Sequence, residues 1–172
     1  MKPVKKILAL ILAGVMALAL LTGCGKATSL DRTIAEGMAE SQKSALAEVG
    51  NENNISVSYQ VPELRRDIAP LFDENWITKD SGDDVLTEAA KTTLANILSP
   101  YISATSAVTF LAADVTDVKT PFMEGVNLID STIYFAASDR NFDTAFVTSI
   151  RVAVVHKNVN GRTYALAVMI EE

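Results

Sequence analysis

The chain has 172 residues, of which 15 are Lys or Arg, 21 are Asp or Glu, one is His and one is Cys. This length predicts one compact domain with a leader or a tail, and an apolar fraction of 49% excludes a disordered or fibrous chain. A single Cys and a single His exclude an internal disulfide framework, a multi-cysteine zinc site and a histidine-rich metal cluster.

The first 23 residues have the pattern of a secretory signal peptide. Lys2, Lys5 and Lys6 form a basic start, and the following run from Ile7 to Leu21 has 15 residues and no charged side chain. A membrane-spanning helix needs roughly 20 apolar residues. A cleaved leader over residues 1–23 is therefore the favoured interpretation.

The end of this leader resembles the lipobox of bacterial lipoprotein precursors. The residues that carry the resemblance are Leu21, Thr22, Gly23 and Cys24. The resemblance implies cleavage before Cys24 and diacylation of that cysteine. Two acyl chains give the stable anchoring that one chain cannot, so we expect a lipid-anchored protein on the extracytoplasmic side of the cell membrane. A buried free cysteine in an ordinary secreted protein is the alternative.

The segment that follows the leader is strongly acidic. Because the three lysines of the leader are removed, residues 24–172 keep 12 basic and all 21 acidic side chains, which gives a net charge of −9. Such a surface repels phosphate backbones and anionic lipid headgroups. We therefore expect no nucleic-acid partner, and we expect membrane attachment through the lipid on Cys24 alone.

Residues 24–28 form a short lipidated tether, and residues 29–172 are expected to fold as a single domain. From Ser29 to about Val49, apolar residues recur every three or four positions and predict an amphipathic helix that ends at Gly50. Gly37 is expected to weaken this helix slightly. The predicted core positions are Leu30, Ile34, Met38, Ala45 and Val49.

Two shorter elements and a second main helix follow. Residues 55–61 alternate apolar and polar side chains and predict a strand with one buried face. Pro62 is expected to begin a short helix, and Ser81 with Asp84 resembles a capping pair for the next one. The short helix runs through Leu64, Ile68, Leu71 and Phe72. The second main helix is predicted from Leu86, Ala90, Leu94, Ile97 and Leu98 and ends near Pro100.

The C-terminal third is expected to form strands. Residues 108–112 and 132–137 are candidates, and the clearest unit is a hairpin of residues 146–156 and 162–170 around Asn160-Gly161. If the turn has two residues, the numbers of directly opposite residues in the two strands sum to 321. A four-residue loop, the alternative, changes this sum to 319. Each cross-strand partner then moves by two residues, and every side chain stays on the same face of the hairpin. One face carries Ala153, Val155, Tyr164, Leu166, Val168 and Ile170, and the other carries Ile150, Val152, Val154, Ala165, Ala167 and Met169.

Because both faces of this hairpin are apolar, it should lie inside the sheet with cover on each side. We therefore expect an α+β domain in which two main helices pack on a mostly antiparallel sheet of four or five strands, with an α-β-α sandwich as one form of that architecture.

The hairpin also resembles the last hairpin of CAP (cysteine-rich secretory, SCP-like) domains, which are α-β-α sandwiches. Residues 150–155 and 164–169 carry the resemblance, and residues 125–129 are similar to the Gly-Glu-Asn-Ile motif of the family, with Val126 in place of the Glu. The two histidines and two glutamates of the family cavity have no counterparts here. No site residue is therefore carried over.

No motif predicts a catalytic or metal site. His156 lies beside the hairpin turn without a Gly-x-Ser-x-Gly elbow, and its cross-strand partner, Ala165 or Thr163, is no carboxylate. We therefore expect a surface or partly packed histidine that Gln can replace at a cost under about 1 kcal/mol.

Carboxylates and aromatic side chains offer weaker candidates. Asp80, Asp83 and Asp84 around Gly82 could bind calcium, but helix capping explains the same residues, and solvated loops explain the other acidic pairs. A sugar or peptide groove is one interpretation of the aromatics, and core packing is the expected one. The other acidic pairs are Asp73-Glu74 and Asp139 with Asp143, and the aromatics are Phe72, Trp76, Tyr101 and Tyr134.

The expected function is that of a non-enzymatic binding or accessory module of the envelope, with no cofactor. Its partner is an envelope protein, a peptide or a polysaccharide, and its binding residues are not indicated by the sequence. The alternative is a degenerate CAP-like domain or a small envelope enzyme with a ligand cleft.

Overall fold

The protein has an α+β fold, and a computed structural model describes residues 29–70, 72, 74–80, 83–130 and 143–172. The helices are α1 Ser29–Glu48, α2 Pro62–Ile68, α3 Glu88–Leu98 and α4 Pro121–Asp130. The strands are β1 Ser56–Tyr59, β2 Ile77–Asp80, β3 Asp83–Leu86, β4 Ala107–Asp114, β5 Ser149–Val159 and β6 Arg162–Glu171.

The main sheet has four described strands in the order β1-β5-β6-β4. Strand β1 runs parallel to β5, whereas β5 with β6 and β6 with β4 are antiparallel. Strands β2 and β3 form a separate antiparallel hairpin. This arrangement confirms the predicted mostly antiparallel sheet.

The β5–β6 hairpin has the two-residue turn. Val155 pairs with Leu166, and Val159 pairs with Arg162, so the numbers of paired residues sum to 321. Asn160 and Gly161 have φ values of 51° and 82°. Both residues therefore adopt the left-handed conformation of a type I′ turn, which Asn-Gly tolerates. The four-residue loop is wrong.

Helices cover both faces of this hairpin, in an α-β-α arrangement. On one face, which we call the α3 face, the side chains pack against α2 and α3, and on the other, the α1 face, they pack against α1. The α3 face comprises Ala153, Val155, Tyr164, Leu166, Val168 and Ile170, and the α1 face comprises Ile150, Val152, Val154, Ala165, Ala167 and Met169. The predicted division of the side chains between the two faces is confirmed.

Helix α1 lies where the apolar periodicity predicts it, but its buried face is different toward the C-terminus. Ala45 and Val49 are exposed, whereas Gln42 and Leu46 are buried. The buried positions follow the 3.6-residue period of a helix, and Ala45 lies about 100° away from Leu46 on the helix surface. The buried residues are Asp31, Ile34, Ala35, Gly37, Met38, Ala39, Gln42 and Leu46.

Helix α4, which the apolar pattern does not predict, crosses α1 at two glycines. A Cβ atom on Gly37 would lie 2.0 Å from the Phe122 carbonyl oxygen, and one on Gly125 would lie 2.1 Å from the Ile34 carbonyl oxygen. The two backbones are therefore in direct contact. Gly37 is required for helix packing, and its cost in helix propensity is secondary.

The start of α3 also differs from the prediction. Asp84 and Leu86 lie in β3, where Leu86 pairs with Ile77. The helix begins at Glu88, and the hydroxyl of Thr87 accepts a hydrogen bond of 3.2 Å from the Ala90 N–H. Thr87 is therefore the N-cap, and the capping pair at residues 81 and 84 is wrong. The predictions for Leu71, Ser81 and residues 132–137 lie outside the described residues.

In the described ranges, no helix is both long enough and apolar enough to cross a lipid bilayer.

The Gly37 contact can be tested by Gly37→Ala. Helix propensity alone would make this substitution stabilising by up to about 1 kcal/mol. Because the new methyl group meets the α4 backbone, we expect instead a loss of roughly 1–3 kcal/mol in the free energy of unfolding, measured by urea denaturation. Ala47→Gly, at an exposed position of α1, is the control and reports the propensity effect alone. A higher midpoint for Gly37→Ala would contradict the close crossing.

Candidate functional site

A buried carboxylate joins three elements at one end of the domain. Asp31 lies in the first turn of α1 and is 1% exposed. His156 reaches it from the last third of β5, and Arg65 reaches it from α2. We call these three residues the Asp31 cluster.

Both oxygens of the Asp31 carboxylate are engaged in this cluster. His156 Nδ1 lies 2.6 Å from Oδ1, and Arg65 Nη2 lies 3.3 Å from Oδ2. A buried charge without a partner is strongly destabilising. The N-terminal turn of a helix also favours a negative charge, so the position of Asp31 in α1 adds to the compensation.

Arg65 and Gln60 also bind the backbone of β5 at Val154, beyond the end of its pairing with β1. Strand β1 pairs with β5 only as far as Val152. Beyond that point the Val154 N–H donates to Gln60 Oε1 at 3.1 Å, and the Val154 carbonyl accepts from Arg65 Nε at 3.1 Å. Gln60 has a φ of 61°, which turns the chain at the end of β1. The side chains of Gln60 and Arg65 thus provide the hydrogen bonds that a neighbouring strand would otherwise make with Val154. Buried backbone N–H and carbonyl groups need such partners.

The environment of His156 favours its protonated form. The hydrogen bond to Asp31 raises the pKa of His156 above its ordinary value of 6.5, while burial and the nearby Arg65 charge oppose the increase. The side chain is 31% exposed. Within the described ranges, no other residue forms a hydrogen bond with the ring, so Nε2 is left for solvent.

An imidazole oriented by a buried carboxylate is one half of a general-base system. The other half is a nucleophilic hydroxyl or thiol within about 3 Å of Nε2, and among the described residues none is bonded to this ring. The cluster can therefore accept or release a proton at Nε2. Its observed contacts serve to hold α1, α2 and β5 together.

The structure corrects the prediction for His156. Ala165 is its cross-strand partner, as the two-residue turn requires. The sequence prediction considered only this cross-strand neighbour, whereas the Asp31 carboxylate approaches from α1, outside the sheet. Asp31 falls on the buried stripe of α1 together with Ile34, Ala35 and Met38. A charged residue on an apolar helix face was the signal that could have identified it.

The other carboxylates singled out in the sequence lie in the β2–β3 hairpin, before β5 or outside the described residues. Asp80 and Asp83 pair across the β2–β3 hairpin, and the described residues contain no group of three or more potential ligands for a metal ion. The Asp143 carboxylate accepts a hydrogen bond of 2.9 Å from the Ala145 N–H. Cys24, Asp73 and Asp139 lie outside the described residues.

The aromatic residues belong mainly to the core, as expected. Phe72 and Trp76 are buried on the α3 face with an edge-to-face ring contact at 6.1 Å. Tyr101 packs at the margin of that core and donates a hydrogen bond of 2.5 Å to Asp67 Oδ2. Tyr134 lies outside the described residues. Phe72 and Trp76 are therefore packed in the core and are not available at the surface to contact a ligand.

A second buried carboxylate, on β6, contacts α1 farther toward the C-terminus of the helix. Glu171 of β6 is 1% exposed and accepts a hydrogen bond of 2.7 Å from the Gln42 side chain. Burial raises the pKa of Glu171, and the bond from Gln42 opposes that increase. This pair ties the middle of α1 to the sheet.

The Asp31 cluster predicts a pH-dependent stability. A raised pKa in the folded state means that the contribution of His156 to the free energy of unfolding is complete below about pH 6.5 and is lost as the pH rises through the raised pKa. The difference in this free energy between the wild type and His156→Gln should therefore shrink from about pH 6 to about pH 9, as measured by urea denaturation.

Lys157→Gln, at the next and exposed position of the same strand, should change stability by an amount that does not vary over this range. A constant difference for His156→Gln as well would refute the role of the Asp31 contact.

Comparisons with protein-family models, with curated proteins and with solved structures find no match to this chain.

Proposed function

We propose that this protein is a lipid-anchored extracytoplasmic domain that serves as a non-enzymatic binding or accessory module of the cell envelope. The observation that carries the proposal is the position of Cys24. It directly follows a leader that has a basic start, an apolar run and an end that resembles a lipobox, and it stands five residues before the first residue of α1, Ser29.

A tether of this length restricts where the domain sits. Five residues, 24–28, reach at most about 17 Å when fully extended. Since α1 starts directly after them, the end of the domain that contains Asp31 and His156 would face the membrane at short range. The Asn160-Gly161 turn lies at this end too, because it follows His156 along β5.

Two properties of the chain support the proposed binding module and limit its partners. The His156–Asp31 pair joins three elements and has no nucleophile bonded to it in the described part of the chain. The net charge of −9 after Cys24 opposes binding to nucleic acid and to anionic headgroups. Attachment to the membrane through the lipid, with a protein, a peptide or a polysaccharide as the partner, agrees with the structural role of the His156–Asp31 pair and with the negative net charge.

A small envelope enzyme is the second candidate, and the carboxylate-oriented imidazole of His156 favours it. His156→Gln separates the two proposals. If the protein is a binding module, the variant should keep its envelope role while it stays folded. If it is an enzyme, a folded His156→Gln protein should lose the role, as judged by complementation of a deletion strain.

A relationship to CAP domains stays a prediction. The helices on both faces of the β5–β6 hairpin agree with a sandwich of that kind. The segment similar to the Gly-Glu-Asn-Ile motif, residues 125–129, lies within α4, where Gly125 is used for the contact with α1.

The anchor is tested by Cys24→Ala. We expect the variant to lose labelling by a fatty-acid analogue, and we expect the labelled wild type to begin at Cys24 by mass spectrometry. The variant should also leave the membrane fraction or accumulate as the uncleaved precursor. Thr28→Ala, in the tether but outside the lipobox, should behave as the wild type. Unchanged labelling and membrane retention of Cys24→Ala would refute the lipoprotein proposal.

A further inference from the structure

Two large apolar side chains are exposed at the end of the domain opposite the tether. Val49 follows the C-terminus of α1 and is 64% exposed, and Phe146 precedes β5 and is 75% exposed. We call these two residues the distal patch. Aromatic side chains are enriched at protein–protein interfaces relative to the rest of the surface.

Side-chain hydrogen bonds hold the two segments of the distal patch side by side. Asn51 Nδ2 donates to the Thr144 carbonyl at 2.7 Å and to the Val147 carbonyl at 3.0 Å. Asn53 Nδ2 donates to the Ala145 carbonyl at 3.0 Å. The backbone carbonyls on both sides of Phe146 are therefore fixed to the segment that follows Val49.

The loop that carries Phe146 is ordered by further contacts. Residues Thr144–Phe146 form a 3₁₀ turn that Asp143 caps. The N–H groups of Thr148 and Ser149 both donate to the carbonyl oxygen of the C-terminal residue Glu172, at 2.6 and 2.9 Å. Because the loop is already fixed, little conformational entropy is lost when Phe146 binds a partner.

The position of the distal patch follows from the direction of α1. Along the helix, Asp31 contacts His156 near the end of β5, Gln42 contacts Glu171, and Asn51 contacts the loop before β5. Helix α1 therefore runs antiparallel to β5, and its first residue, Ser29, is separated from the distal patch by about 30 Å, the length of 20 helical residues. Orientation away from the membrane rests on the proposed function, whereas the patch itself does not.

The charges of the described residues around the distal patch favour a basic partner. Glu48, Glu52 and Asp143 are exposed beside it, and no cation in the described ranges forms an ion pair with any of the three. Glu172 at the same end is paired with Arg151 at 2.7 Å. A second copy of this surface and an anionic polymer would both be repelled, whereas a basic segment would be attracted.

We propose that the distal patch is the docking surface for a basic segment of another protein, in which Lys or Arg residues flank an aromatic or large aliphatic side chain. The apolar side chain packs against Phe146 and Val49, and the flanking cations lie beside Glu48, Glu52 and Asp143. This assigns the binding residues that the proposed module requires.

The test uses the purified full chain in detergent and a random library of displayed 12-residue peptides. We expect the selected peptides to carry a positive net charge and an aromatic or large aliphatic residue. Synthetic copies should bind Phe146→Ser at least about tenfold more weakly than the wild type, as measured by fluorescence anisotropy, because loss of most of a phenyl burial has this effect.

The matched control is Phe122→Ser, which removes the same side chain from a position on α4 that is 41% exposed. It should change the affinity less than about twofold. The double variant Glu48→Gln/Glu52→Gln should weaken binding and reduce its dependence on salt. Thermal unfolding should show that Phe146→Ser is as stable as the wild type, since the side chain is exposed.

Three results would overturn the proposal: selected peptides that are neutral or acidic, equal binding to Phe146→Ser and to the wild type, or equal losses for the two Phe variants. The lipid anchor is tested by acyl labelling of Cys24, a measurement that does not depend on peptide binding. A failure of the docking surface is therefore distinguishable from a failure of the lipid anchor.

Discussion

The fold depends on a β-hairpin that is apolar on both faces. In β5 and β6, side chains of either parity are buried, so neither face can be left to water without a large loss of hydrophobic free energy. One helix layer would satisfy only half of this requirement. The chain supplies α1 before the hairpin for one face and the α2–α3 region for the other. Strands β1 and β4, the outer two of the four described strands, extend the sheet between these layers.

Apolar contact alone does not determine where α1 lies along the hairpin. Three polar contacts do so, with Asp31 at the start of the helix, Gln42 in its middle and Asn51 after its end. A shift of one helical turn would leave Asp31 and Glu171 buried without partners, which costs more than the contacts themselves contribute. The close crossing of Gly37 and Gly125 then places α4 against α1 at a single position.

Much of this architecture could be predicted from local patterns. The period of α1 predicts the helix, and the alternation in β5 and β6 predicts both faces of the hairpin, because each signal is contained within about 20 residues. The Asn160-Gly161 signal narrows the register to two alternatives, of which the structure has the two-residue turn. The local pattern does not predict α4, because the contact that positions this helix is a backbone approach to α1. The predicted start of α3 is too early, because Leu86 is an apolar residue that fits a strand as well as a helix.

The candidate site was less predictable than the fold. His156 and Asp31 are 125 positions apart, and no spacing rule relates them. The contact exists only because α1 runs antiparallel to β5. The distal patch likewise depends on Asn51 and Asn53, which suggest only a helix stop in the sequence, and on a loop that lies more than 90 residues away. Long-range pairing of this kind is absent from any local pattern.

The side chains that bind Val154 have a consequence for the behaviour of the protein at high concentration. An unpaired strand edge is a template on which another chain can add by backbone hydrogen bonding, and this is how many sheet proteins begin to aggregate. Strand β5 continues beyond its four-residue partner β1, and its exposed side would offer such a template. With Gln60 on the Val154 N–H and Arg65 on its carbonyl, an invading strand would first have to displace a hydrogen-bonded amide and a guanidinium that also binds Asp31. The arginine that pairs with a buried carboxylate therefore also occupies a backbone carbonyl that strand addition would need.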